Sequence, residues 1–176
     1  MAVSATTDSL DLERTRDLQG RENHPWFRRI ALAFLALLLL LALLGQLGQP
    51  EVTRAASTPA GTLQLVAPKT LRGGLLWRGQ ITITAKSRIV APQLILAGGW
   101  AKGMQFNTME PSASSESGRG TALVFNYSTL EPGQRFTVYL QLQANPTTLG
   151  RQNLSIALEG HGIAPIRVPA SVTVLP

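Results

Sequence analysis

Cysteine is absent from the 176 residues. No disulfide framework, thiolate nucleophile or Cys-based zinc site is therefore available. Aspartate stops at Asp17, and beyond residue 50 the acids are Glu51, Glu110, Glu116, Glu131 and Glu159. Calcium sites draw on clustered carboxylates and glycosidases on a carboxylate pair, so scattered Glu residues disfavour both. Histidine occurs only as His24 and His161, too few for a His-rich metal site. Local motifs for nucleotide binding, zinc hydrolysis or a nucleophile elbow are missing. Aromatics make up 6% of the chain, which speaks against the stacking surfaces of single-strand nucleic-acid binders. These absences point away from an enzyme, a metal, a cofactor and a nucleic-acid partner.

What is present is unevenly spread. Residues 30–44 carry no polar side chain, and the apolar run, opening at Ile30 and broken by Gly45 and Gln46, closes at Leu47. An 18-residue helix spans about 27 Å, close to a hydrocarbon core of about 30 Å. Trp26 and Phe27 stand just upstream, where interfacial aromatics belong. The run reads as a membrane anchor over 26–47 that meets the lipid bilayer through residues 30–47. A cleaved signal peptide competes with it, since Thr53-Arg54-Ala55 makes a passable cleavage site. Against cleavage, 29 residues precede the run and include five acids, long and mixed for a signal peptide's leading segment.

Arg16, Arg21, Arg28 and Arg29 precede the run, whereas only Arg54 follows it closely. The positive-inside bias then puts the N-terminus in the cytoplasm and the rest outside a plasma (inner) membrane, in a single pass. Residues 1–25 are expected as a disordered cytoplasmic tail. Residues 48–61, with Gly48, Pro50, Pro59 and Gly61, read as a juxtamembrane linker.

From residue 62 to 176 the period changes to two. Ile81, Ile83 and Ala85 alternate with Gln80, Thr82, Thr84 and Lys86. Phe136, Val138, Leu140, Leu142 and Ala144 alternate with Arg135, Thr137, Tyr139, Gln141 and Gln143. Leu154, Ile156 and Leu158 repeat the pattern, and so do Ile166, Val168, Ala170, Val172 and Val174. Such alternation marks strands with one buried and one wet face. Shorter candidates lie at 63–66, 93–97, 104–109 and 121–127. The Ser-rich stretch 111–120 reads as the longest loop. Pro169 inside the last strand points to a sheet edge. Seven to eight strands without helical pattern between them predict a mainly β fold, an antiparallel immunoglobulin-like β-sandwich behind one transmembrane α-helix.

Leu130-Glu131-Pro132-Gly133-Gln134-Arg135-Phe136 resembles the Leu-x-Pro-Gly-x-x-Tyr corner of fibronectin type III domains and the Pro-Gly corner of bacterial immunoglobulin-like sandwiches of the CARDB type. The resemblance implies a chain crossing between sheets, with the following aromatic plugging the core. Phe136 stands where Tyr is usual, so the corner hydroxyl is lost. The layout also resembles uncharacterised single-span envelope proteins.

Residues 30–176 hold eleven Lys or Arg against five Glu, a net charge of +6. Arg72, Arg78, Lys86 and Arg88 bunch in sequence and form a candidate contact for anionic wall polymers or lipid headgroups. An ordinary solvated face is the alternative. Trp100, among glycines, is either an exposed partner anchor or a core plug folded back. His161 beside Glu159 suits an exposed turn better than a metal or catalytic pair. The expectation is a non-enzymatic, membrane-anchored interaction or scaffold module of the cell envelope that binds another envelope protein or polymer. The alternative is an accessory subunit recruited to a multi-span complex through its helix.

Overall fold

Alternation of apolar and polar side chains favours extended backbone that buries one face, and the domain follows this rule through most of its length. The computed structural model describes residues 24–43 and 50–176, which fall in two separate units. The expected tail lies outside the described residues through residue 23, as do 44–49 at the end of the expected span and the start of the expected linker. In the first unit, helix α1 (His24–Leu43) includes an 18-residue stretch, Trp26–Leu43, of mean hydropathy 2.1. By length and composition it is able to cross a membrane.

In chain order the second unit runs β1 (Glu51–Ser57), β2 (Gly61–Pro68), β3 (Thr70–Arg72), β4 (Leu76–Ala85) and β5 (Val90–Leu96). A short helix α2 (Gly98–Gly103) follows, then β6 (Met104–Glu110), β7 (Ser115–Arg119), β8 (Ala122–Asn126) and β9 (Arg135–Ala144). The last four strands are β10 (Gly150–Asn153), β11 (Ile156–His161), β12 (Ile166–Val168) and β13 (Ser171–Leu175). The first layer is a five-stranded antiparallel sheet in the order β1-β2-β4-β9-β6. The second is a five-stranded sheet, β12-β11-β5-β8-β7, continued by a three-stranded one, β10-β13-β3. The Leu154 N–H donates to the Ala170 carbonyl at 3.0 Å across the break, so β10 runs into β11 and β12 into β13.

The predicted fold class stands: antiparallel sheets face each other across one core. Leu63, Leu65, Ile81, Ile83, Val138, Leu140 and Leu142 come from the first layer, and Leu94, Leu96, Phe125, Ile156, Leu158, Val172 and Val174 from the second. Thirteen strand segments are described, more than the seven to eight expected, for two reasons. Two long strands, β10–β11 and β12–β13, are each interrupted and so counted twice, and β1, the three-residue β3 and β7 left no apolar alternation to read. Pairing each interrupted strand and setting β1, β3 and β7 aside leaves eight.

Two expectations are corrected here. The linker read over 48–61 is, from Glu51 to Ser57, an edge strand in full antiparallel register with β2. Its hydrogen bonds to β2, rather than burial of apolar side chains, define it. The loop read over 111–120 contains β7, an edge strand of five exposed residues paired with β8. Pro169 sits as expected at an edge, where β12 ends and the sheet has no further neighbour among the described residues.

The Pro-Gly corner has a local cause. The Gln134 N–H donates to the Glu131 carbonyl at 3.0 Å, and Gly133 adopts φ +82°, the arrangement of a type II turn with Pro second and Gly third. The corner takes the chain from the Leu130–Ile89 bridge into β9 of the first layer. Phe136 packs against the core, with the Tyr127 ring edge-on at 4.9 Å. At the opposite end Lys69 joins three segments. Its N–H donates to the Pro50 carbonyl at 3.2 Å, and its carbonyl accepts from the Thr173 N–H at 3.1 Å.

Candidate functional site

Strand parity decides which side chains leave the first layer for solvent. On its outer face β9 presents Thr137, Tyr139 and Gln141, and β4 presents Arg78, Gln80 and Thr82 in register with them. β6 would present the wrong set but for a bulge between Phe106 and Thr108. One extra residue there reverses the parity. Met109 then packs inward, while Thr108 and Glu110 stand opposite Gln141 and Tyr139.

The resulting surface is a field of Thr and Gln with one exposed aromatic among the described residues. Thr62, Gln64, Thr84 and Thr137 stand half-buried at equivalent outward positions across β2, β4 and β9, and Thr82 among them is buried. The Thr82 and Thr137 hydroxyls meet at 3.3 Å, and Gln80 Nε2 donates to Thr82 Oγ1 at 3.2 Å. Tyr139 is 59% exposed. Beside it Arg78, Thr108, Glu110 and Gln141 rim a depression of about 400 Å³ floored by Gly79 and Leu140. Among the described residues neither Arg78 nor Glu110 belongs to an ion pair. Both charges are free to meet an incoming group, and an amphipathic aromatic supplies contact area at little entropic cost. Among the described residues no three His, Asp or Glu side chains converge as metal ligands would.

The remaining predicted residues scatter. Arg72 lies in β3, in the second layer, where its Nε donates to the Pro176 carbonyl at 3.3 Å. Lys86 follows β4 and donates to Ser57 Oγ at 2.7 Å. Arg88 pairs with Glu131 at 3.2 Å. Eight residues of extended strand put Arg78 and Lys86 roughly 27 Å apart. The predicted basic patch is therefore not one surface, and only Arg78 belongs to the candidate site.

Trp100 is corrected more sharply. It is 0% exposed, so it is the core plug and not a partner anchor. The cause is local. A Cβ at Gly99 would collide with the Asn153 backbone, so glycine lets α2 lie against β10 and turns Trp100 between the layers. His161 stands exposed at the end of β11, and Glu159 is taken by Arg119 at 2.9 Å. The signal for Tyr139 was in the sequence, as the sole aromatic on the polar side of the longest alternation.

No family model matches the chain, and no curated protein matches it. Several solved structures are similar at low identity. One concerns AvmM, which catalyses macrocyclization in alchivemycin A biosynthesis (TM-score 0.45, 8% identity, covering 68% of this chain and 90% of that one). Another is a family 123 glycoside hydrolase from Clostridium perfringens (TM-score 0.40, 14% identity, covering 60% of this chain and 22% of that one). A third is a non-cellulosomal cohesin from the archaeon Archaeoglobus fulgidus (TM-score 0.38, 10% identity, covering 70% and 91%). Similarity at this level bears on no function.

Proposed function

We propose that this chain is a non-enzymatic interaction module of the cell envelope. Its helix α1 anchors it in the plasma (inner) membrane with the N-terminus cytoplasmic. The domain outside offers the outer face of its first layer to another envelope protein. The observation that carries this reading is Tyr139, exposed on the outer face of β9 beside uncommitted Arg78 and Glu110. Charges of both signs beside an aromatic suit a protein surface. An anionic wall polymer or lipid headgroup would want Arg72, Arg78, Lys86 and Arg88 gathered, and these four are dispersed. The bacterial immunoglobulin-like kinship of CARDB type rests on the Pro132-Gly133 corner.

A photo-crosslinking residue placed at Tyr139 in the full chain, in intact membranes, tests the reading. It predicts a discrete protein adduct at position 139 and none at Ser117 on the second layer. Equal adducts at both positions, or none at 139, would overturn it. Exchange of α1 for an unrelated membrane helix separates the accessory-subunit alternative, which alone predicts loss of the adduct.

A further inference from the structure

We propose that a second cleft, between Arg54 and Arg151, binds a phosphate-type oxyanion. Arg54 stands in register with Leu65, a core residue, so it leaves β1 on the side that faces the second layer. Arg151 comes from β10 of that layer, in register with Thr173. The two arginines line one cleft of about 570 Å³ together with Gln152, Asn153, Ser155 and Ser171, and among the described residues no carboxylate lines it. The cleft opens where Pro169 and Ala170 interrupt the last strand.

Arg54 Nη1 is buried and has no hydrogen-bond partner among the described residues. A buried donor is expensive to leave unmade, and a charged one more so. Inward-facing charges on edge strands deter strand addition, and Arg54 is placed to do that. A guard of that kind works with its guanidinium in water, however, and this Nη1 is not. Among the described residues neither arginine is in an ion pair.

The neighbouring groups add donors to the cleft. Asn153 Oδ1 already accepts from the Ser155 N–H at 3.0 Å, which leaves the Asn153 amide NH₂ to donate. Ser155 Oγ is occupied by Ala170, whose N–H it accepts at 3.1 Å. The donors left are two guanidiniums, the Asn153 amide, the Gln152 amide N–H not given to the Leu149 carbonyl, and the Ser171 hydroxyl, a set matched to an oxyanion with several acceptor oxygens. The volume exceeds that of a bare phosphate and leaves room for the group that carries it.

The test uses the full chain in neutral detergent micelles at constant ionic strength, titrated with inorganic phosphate and separately with acetate. Amide resonances report binding. Saturable shifts are expected at Asn153 and Ser171 with phosphate, with none at Tyr139 and a weaker response to acetate. Arg54→Gln and Arg151→Gln should each weaken phosphate binding about tenfold or more. Arg54 lies under a strand edge and its loss endangers the fold, so the exposed Arg151 decides. Non-saturable shifts, or affinity unchanged in Arg151→Gln, would overturn the site. An equal acetate response would overturn its preference for phosphate.

Discussion

Trp77 and Trp100 lie with ring centroids 5.8 Å apart, both buried, and neither indole nitrogen has a hydrogen-bond partner among the described residues. One comes from β4 and the other from α2, so the contact ties the only short helix described in the domain to the middle of the first layer. Phe106 continues the stack at 6.4 Å from Trp100. Removing the Trp100 ring leaves a large cavity, and Trp100→Ala should cost about 3–5 kcal/mol. Trp100→Phe should cost well under half of that, because the lost N–H makes no bond. Denaturant midpoints measure both, and equal costs would mean the indole nitrogen is partnered after all.

Leu140 and Gln141 are neighbours on opposite faces of β9, one buried and one exposed. Leu140→Ala should cost about 2–5 kcal/mol, and Gln141→Ala should stay within about 0.5 kcal/mol. A fragment for these melts has to begin at Gln49, because one beginning at Gly61 lacks β1 and uncovers the edge of β2. The shorter fragment should melt at a lower denaturant concentration. Equal costs at 140 and 141 would contradict the two-layer arrangement.

Tyr127 is buried, with its hydroxyl donating to Met109 Sδ at 3.4 Å. Burial, with a smaller push from Glu116, raises its pKa from 10.0 to about 12. The neutral phenol is the form that fits, so its contribution is complete below pH 10, where the unfolded chain also keeps the proton. Between pH 10 and about 12 the unfolded chain loses the proton first, and stability falls as pH rises. Unfolding free energies across that interval should slope downward, and Tyr127→Phe should flatten the slope. An unchanged slope in the variant would assign it to other groups.

Leu38 sits within the apolar helix α1. Leu38→Arg places a charge near the middle of the expected span, a change of about 2.5–3.5 kcal/mol on an insertion scale. Membrane retention in fractionated cells should drop, and external protease should digest the domain of the wild-type chain while sparing its N-terminal tail. Recovery of soluble wild-type protein starting near Ala55 would instead mark the segment as a signal peptide. Such cleavage would also cut into β1, between Glu51 and Ser57.

The strands legible in the sequence are those that bury a large side chain at every second position. β4, β9 and β13 were clear for that reason, and Leu130 to Gly133 located the corner because a type II turn needs a residue with positive φ. β1 was hidden because its inward positions hold Val52, Arg54 and Ala56, where an arginine breaks the apolar period. β7 was hidden because all five of its side chains are exposed. Both are held by ladder bonds to a neighbour, and a ladder leaves no mark on hydropathy. Trp100 was read among turn residues because Gly98 and Gly99 look like a turn. The same glycines permit the close approach that buries it. The basic group Arg72, Arg78, Lys86 and Arg88 was close in sequence only. An extended strand separates its residues as fast as a chain can.

The double attachment at Lys69 sets how the domain carries tension. Pro50 and Thr173 are both bonded to this one residue, and β13 then runs parallel to β3 for only three residue pairs. A pull applied between Pro50 and Pro176 therefore runs through a short path at one end of the domain, leaving β5, β8 and β9 unloaded. Glu51 is the open end of the β1–β2 ladder, opposite Pro68. Force there strains one rung at a time, and the first strand should unzip at low load while the two-layer core stays intact.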